Sequence, residues 1–298
     1  AEFYTSNFPD SRVLDIQYYP NEGLPDWQAA FAGQPVAVEF ELAGYRFTGA
    51  GGAPVTGAQV DYNGAPAGYT SAPGEAVTYV DAHDNEILYD ALAYTLPQGT
   101  SPADRARMQV LALGTTALSQ GIGFVTGGSD RLRSKSLDGN SYNSGDWFNA
   151  VLPCAQGNGF GRGLPQQQDN AAKWPYARPL LADPALVPDC ATMTAAGAHY
   201  AELARIGASS PLFNLGSAAE VQRRLSFPLA GSAATPGVIT MVLDDTAGPR
   251  LDGHYRKIVV VFNATPGTVT QTVPGLAGTS VALHPVQVRA GTDLHLRS

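Results

Sequence analysis

A chain of 298 residues with 18 basic and 26 acidic side chains carries a formal charge of −8, which argues against a nucleic-acid partner, since phosphate binding draws on clustered Lys and Arg. Apolar residues at 44% exclude disorder, and 33 Gly with 22 Pro in no repeating pattern exclude collagen-like and low-complexity chains. Two cysteines, Cys154 and Cys190, exclude a disulfide-dense scaffold and a cysteine-rich zinc site, and leave either one bridge or two buried thiols. Ala1 is followed by neither a basic segment nor an apolar segment of the signal type, so no targeting signal is expected here.

In chain order, residues 1–74 are rich in Gly, Pro and aromatics and read as extended loop, apart from a short helical run at 27–31. Residues 76–80 (AVTYV) read as a short strand. Ile87, Leu88, Ala91 and Leu92 share one helical face, so the strand is expected to run into a helix through the polar corner DAHDN (81–85). Ser101, Pro102 and Asp104 make a capping box and a proline start for a second helix, which reaches about residue 119 and is stopped by Gly121. The uncharged stretch 108–129 is long enough to span a bilayer, but Gln109, Thr115, Thr116, Ser119, Gln120 and five glycines mark it as buried, with no membrane partner. Within it, residues 122–125 are apolar on both faces, as covered parallel strands are. Strand, helix, helix, strand suggests part of an α/β barrel.

Residues 131–189 show few regular elements but carry Tyr142, Trp147, Phe148, Phe160, Trp174 and Tyr176, which favours an ordered, functional insertion. A helix fits 192–206, and short β-rich runs follow at 221–227, 238–243, 257–262, 269–273 and 281–288, expected as a separate antiparallel sandwich.

The sharpest motif is YVDAHDN (79–85), which crowds two carboxyls and an imidazole at the C-terminal end of a barrel-type strand, where barrel enzymes place their chemistry. The plainer reading makes Asp81 a helix N-cap and His83 a satisfied polar residue. A metal reading of Asp81, His83 and Asp84 is weak, since no further ligand cluster stands at suitable spacing. GYRFT (44–48) imitates a strand-end nucleophile motif, with Thr48 where a carboxylate would attack. GNGFGRG (157–163) has no strand before it and no helix after it, so it reads as a loop rather than a dinucleotide site. Asn263-Ala264-Thr265 matches a glycosylation acceptor, a pattern common by chance.

From YVDAHDN through IGFVTGGSDRLRSKSLDGNSYNSGDWFN (122–149) the chain resembles the pullulanase and limit dextrinase branch of the α-amylase superfamily, glycoside hydrolase family 13. DYNGAPAGY (61–69), SSPLF (209–213) and LHPVQV (283–288) resemble the same branch. The resemblance implies an α/β chain in which residues 1–208 are the C-terminal part of a catalytic (β/α)8 barrel with long active-site loops, and 209–298 an all-β antiparallel sandwich that ends early. It implies a debranching hydrolase that cleaves α-1,6-glucosidic bonds in pullulan, amylopectin or limit dextrins with retention. Its partner is a branched α-glucan, and the N-terminal part of the same enzyme precedes this chain.

Retention requires a nucleophile and an acid/base carboxyl about 5 Å apart, and neither matches here, so the isolated chain is expected to be inactive. By resemblance, Asp84 is the transition-state-stabilising carboxylate and His83 contacts sugar hydroxyls at the cleaved residue. Asn85, Trp147, Trp174, Asn170 and Arg133 are the expected substrate-binding residues. Ion pairing among Asp130, Arg133 and Lys135 is expected to hold the corner. No cofactor is implied, and a structural Ca2+ is not readable from these residues. Three departures stand out: Gly139 where relatives carry Arg, Ala172 where some carry an acid, and Thr126 where many carry His. The rival reading is a non-catalytic α-glucan-binding module in which Trp147 and Trp174 stack on sugars.

Overall fold

A computed structural model describes residues 72–230 and 234–290 and, nearer the N-terminus, residues 12–18, 21–22, 32–33, 35–42, 45–50, 61–62 and 65–66. Backbone packing divides the chain into two units, Ala1–Tyr69 and Thr70–Ser298. In the first, β1 (Arg12–Tyr18), β2 (Pro35–Leu42) and β3 (Tyr45–Ala50) form an antiparallel sheet in that order, with Val38 opposite Ile16 and Phe40 opposite Phe47. A short hairpin pairs β4 (Asp61–Tyr62) with β5 (Ala65–Pro66).

This corrects the expectation of extended loop over 1–74. The signal was present in PVAVEFEL, where Val36, Val38, Phe40 and Leu42 alternate with Ala37, Glu39 and Glu41 at the two-residue period of a half-covered strand. The GYRFT motif falls largely in β3, where Thr48 stands opposite Glu39. The helical run at 27–31 lies outside the described residues.

In the second unit β6 (Val77–Thr78) pairs in parallel with β7 (Ile122–Gly123), the two being joined by α1 (Leu88–Thr95) and α2 (Pro102–Ala117). Strand, helix, helix, strand is therefore observed as expected. Ser101 caps α2: its hydroxyl accepts from the Asp104 N–H at 3.1 Å, and Pro102 fills the first helical position. What differs is burial. Ile122 and Phe124 are about half exposed, as are Val77 and Tyr79, because helices cover only part of this two-stranded pair.

Gly121 sits between α2 and β7 with φ of 93°, and a Cβ there would stand 2.9 Å from the Ala76 carbonyl oxygen and 3.1 Å from that of Pro73. A side chain would meet both the left-handed backbone and fixed carbonyls. Gly121→Ala is expected to destabilise the second unit by about 2 kcal/mol. Urea unfolding checks this; a change within about 0.5 kcal/mol would show that the turn can relax.

The long segment after β7 holds α3 (Gly145–Asn149), α4 (Gln167–Asn170) and α5 (Trp174–Leu181), and α6 (Cys190–Gly207) follows. Asp189 caps α6, its carboxylate accepting from the Thr192 N–H at 2.7 Å, and that bond holds the carboxyl below its ordinary range. Cys154 is bridged to Cys190, which resolves the alternative of two thiols. Closing a loop with a sequence separation of 36 contributes ~3–4 kcal/mol in a chain-entropy account. One core joins Tyr89, Val110, Leu132, Leu137, Phe160, Leu186 and Met193 beneath this segment.

Beyond α6, α7 (Ala218–Arg224) leads into β8 (Leu225–Ser226), which with β9 (Val238–Asp244) and β10 (Lys257–Asn263) forms a three-stranded antiparallel sheet of order β10-β9-β8. Strands over 238–243 and 257–262 match expectation. The run 221–227 is mostly helix, because Ser217 caps it through the Glu220 N–H and Glu220 pairs with Arg223 and Arg224 at helical spacing. Residues 269–273 form no regular element, and 281–288 give way to α8 (Pro285–Ala290), where proline stands at the start of a helical turn.

A second core binds Leu118 and Ile206 to Leu212, Phe213, Met241 and Leu243, so the sheet packs on residues from both sides of position 208. Among the described residues of 209–298 these three strands form one sheet, where a sandwich of two was expected. No helix among them is long and apolar enough to cross a membrane.

Candidate functional site

The corner between β6 and α1 is built by Asp81. Its carboxylate is buried and accepts from the Leu88 N–H at 3.1 Å, the first residue of α1, and from the Ser129 hydroxyl at 2.5 Å. The N-cap position is Ile87, not the Asp81 of the plainer sequence reading; Asp81 instead satisfies the first helical N–H from seven residues upstream and ties the corner to the turn after β7. The Thr126 hydroxyl adds a bond to the Asp81 carbonyl at 3.2 Å. The chain between, His83-Asp84-Asn85, is pushed outward and exposed; the Asp84 carboxylate accepts from the Asn85 N–H at 3.0 Å, and Asn85 is left-handed with φ of 60°. Asn tolerates that conformation better than most side chains.

Facing the corner is the RSKS segment. Arg133 donates to the Gly127 carbonyl at 2.9 Å and to the Asn149 carbonyl at 2.5 Å, and burial pushes its guanidinium below its ordinary pKa, opposed by Asp90 and Asp81. The expected ion-pair network is therefore largely carbonyl bonding, while Asp130 lies 3.6 Å from Arg131. Lys135 is buried and donates to the carbonyls of His83 and Asn85 and to the Ser141 hydroxyl. Burial lowers its ammonium pKa, against the raising influence of Asp90 and Asp138.

Asp90, on α1, is fully buried and accepts from the Ser134 hydroxyl at 2.5 Å and from the N–H groups of Lys135 at 2.8 Å and Leu137 at 3.1 Å. Burial raises its pKa to about 6 in spite of those bonds and of nearby Lys135. The segment it grips is unusual: Leu132, Ser136 and Leu137 all have positive φ. The GNGFGRG turn buttresses it from behind, with Ser134 N–H donating to the Asn158 carbonyl at 2.8 Å and the Asn158 amide to the Leu132 carbonyl at 2.7 Å.

These pieces enclose a cleft of about 260 Å³ lined by Ala82, His83, Thr126, Arg133, Lys135, Ser141, Tyr142 and Asn149. Of these, His83 and Arg133 were read from the sequence as site residues; Asp84 and Asn85 follow His83 in the chain, are exposed, and are not among the lining residues. Ser141, Tyr142 and Asn149 were not among the expected site residues, although all lie in the SYNSGDWFN motif and Tyr142 was among the aromatics that marked the segment as functional.

Three more of the expected residues are also outside the cleft lining. Asn170 is buried, its side-chain oxygen accepting from the Gly139 N–H and its amide donating to Asp138 and to the Gln166 carbonyl, so both of its donors are engaged within the protein. Trp174 is half-buried with its indole N–H on the Pro165 carbonyl. Trp147 is exposed, but the Arg162 guanidinium lies 4.0 Å over its ring and its indole N–H reaches the Arg162 carbonyl at 2.9 Å. At the departure Gly139, a Cβ would stand 2.9 Å from Glu86, whose carboxylate pairs with Lys173. Among the described residues no cluster of three His, Cys, Asp or Glu is placed to hold a metal ion.

A family model described as "Alpha-1,6-glucosidases, pullulanase-type, C-terminal" matches residues 155–298. The chain is 39% identical over 263 residues to Pullulanase 1, chloroplastic, of Arabidopsis thaliana, covering 86% of this chain and 27% of the relative. It is 38% identical over 244 residues to the pullulanase of Klebsiella pneumoniae, covering 81% of this chain and 22% of the relative. A crystal structure of Klebsiella pneumoniae pullulanase complexed with maltotriose superposes with a TM-score of 0.72 at 39% identity, over 78% of this chain and 22% of that one. PulA from Klebsiella oxytoca gives 0.73 at 36% identity, over 84% and 23%. The chain thus spans about a quarter of these relatives. Its residues 155–298 carry the pullulanase-type α-1,6-glucosidase C-terminal domain, and what the chain matches is the C-terminal portion of pullulanases.

Proposed function

We propose that this chain is part of a retaining debranching hydrolase acting on α-1,6-glucosidic bonds of pullulan, amylopectin or limit dextrins, and that it supplies one wall of the sugar site. The observation that carries the reading is the convergence of the HDN corner with RSKS and SYNSGDWFN on one cleft, in a chain 39% identical to a chloroplastic pullulanase. Asp84 is the carboxylate that grips sugar hydroxyls as the ring flattens toward the transition state, and His83 donates to the same sugar. The nucleophile and the acid/base come from elsewhere in the parent enzyme.

The exposed apolar side chains of Val77, Tyr79, Ile122 and Phe124 support the reading of β6 and β7 as strands of a (β/α)8 barrel whose other strands cover them. The glucan-binding-module alternative draws on the exposure of Tyr142 and Trp147.

Maltotriose titration of the chain, followed by NMR, tests the sugar site. Resonances of His83, Tyr142 and Asn149 are expected to move saturably, and pullulan incubated with the chain alone is expected to yield no reducing ends. Proton transfer by itself is typically worth 10²–10⁴-fold, and hydroxyl contacts cannot replace it. Cleft resonances that stay fixed at high maltotriose would remove the sugar site. Reducing ends that Asp84→Asn abolishes would show that the whole catalytic set is present in this chain.

A further inference from the structure

Asp84 stands at the outward tip of an exposed corner, followed by a residue in the left-handed region, a conformation that a short peptide would leave readily. The two carbonyls that bracket it, those of His83 and Asn85, both accept from the same ammonium, Nζ of Lys135, at 3.1 and 3.2 Å. Its third bond goes to the Ser141 hydroxyl at 2.9 Å. An ammonium has three donors, so all three are engaged within the protein and none is left for a ligand, although Lys135 lines the cleft. The backbone that carries Lys135 is in turn fixed to Asp90, through its own N–H, the Leu137 N–H and the Ser134 hydroxyl.

We infer that Lys135 is a positioning residue that sets the backbone of Asp84 from both sides, with Asp90 as its anchor. The inference rests on the glucan reading of Asp84 for its functional part, and on the hydrogen-bond geometry alone for its structural part. A lysine suits the task because a compact point charge reaches two carbonyls at once, whereas a planar guanidinium prefers a coplanar pair of acceptors. Positioning of this kind has large leverage, since a misplacement of about 1 Å at a reacting or gripping group costs up to 10²-fold.

Lys135→Met, of similar length and without donors, is expected to shift the backbone amide resonances of His83, Asp84 and Asn85 and, in a full-length pullulanase-type enzyme bearing this segment, to lower kcat on pullulan by roughly ten-fold or more with little change in KM. Lys135→Arg is expected to recover part of that kcat. Unmoved amides at 83–85 in Lys135→Met overturn the clamp. Moved amides with an unchanged kcat overturn its functional part. If the native chain does not bind maltotriose, the glucan reading falls, and the amide resonances still decide the clamp. Should Lys135→Met fail to fold, scalar couplings across hydrogen bonds from Lys135 Nζ to the carbonyl carbons of His83 and Asn85 in the unaltered chain decide it: both present supports the clamp, and neither present overturns it.

Discussion

Asp84→Asn, introduced into a full-length pullulanase-type enzyme bearing this segment, is expected to lower kcat on pullulan by on the order of 10²–10³-fold while KM moves little. A carboxylate bound to sugar hydroxyls meets a nearly relaxed, neutral ring in the ground state and a flattened, positively charged one in the transition state. Its charge therefore counts mainly in the latter, and only such a difference lowers the barrier. The amide keeps the shape and the hydrogen bond from the Asn85 N–H but loses the charge. His83→Ala is expected to be milder, because a neutral donor contributes about 0.5–1.5 kcal/mol net against ~1.5–3 for bonds to a charged group. Steady-state kinetics separate the cases. A large rise in KM with kcat within a few-fold would make Asp84 a binding residue only and overturn its catalytic role.

The second large effect concerns Asp90. Asp90→Ala strands two backbone N–H groups and the Ser134 hydroxyl in a buried segment, each costing about 1–3 kcal/mol, and relief of the buried charge offsets only part of that. A net loss of roughly 3 kcal/mol or more is expected. The pH dependence has a definite sign. Unfolded, the carboxyl titrates near its ordinary value of 3.8; folded, burial moves it to about 6. Between those values the folded state binds more protons, so the stability this group contributes is full below about 4 and is lost as pH rises through 6. The difference of about two pH units corresponds to about 3 kcal/mol.

Asp189, Glu220, Asp244 and Asp252 are held below their ordinary range and act in the opposite sense, so the native curve alone does not isolate Asp90. The informative quantity is native minus Asp90→Asn in urea unfolding between pH 4 and 7. Lys135 and Arg133 are the charges facing the carboxyl, and both are present in the native chain and in Asp90→Asn. A flat difference would place the folded pKa of Asp90 near its unfolded value.

The corner was legible in the sequence because local signals agree there: an apolar run, a polar break, then an amphipathic helix. The same holds for α2, whose cap, proline and first acid sit within four residues. Asp90 was not legible. In LYDALAYT it occupies an ordinary helical position, and its partners lie 44 to 47 residues away, so nothing nearby distinguishes it from a solvent-facing acid. Asn170 failed in the opposite direction: an amide in a polar loop looked available, and the fold spent it on the Asp138 turn. The strands expected at 269–273 and 281–288 rested on β-branched residues alone, a preference that holds only where neighbouring strands give it a surface to pack on.

The bridge between Cys154 and Cys190 closes a segment that also carries Arg162, which lies over the Trp147 ring, and Trp174. A loop tethered at both ends has fewer conformations to give up when a ligand arrives. Ordering a free segment at an interface costs about 0.5–1.5 kcal/mol for each immobilised long side chain, and a segment already held by a covalent closure forgoes much of that loss. The cystine thus bears on the entropy of any ligand contact this segment makes, beyond what it adds to folding.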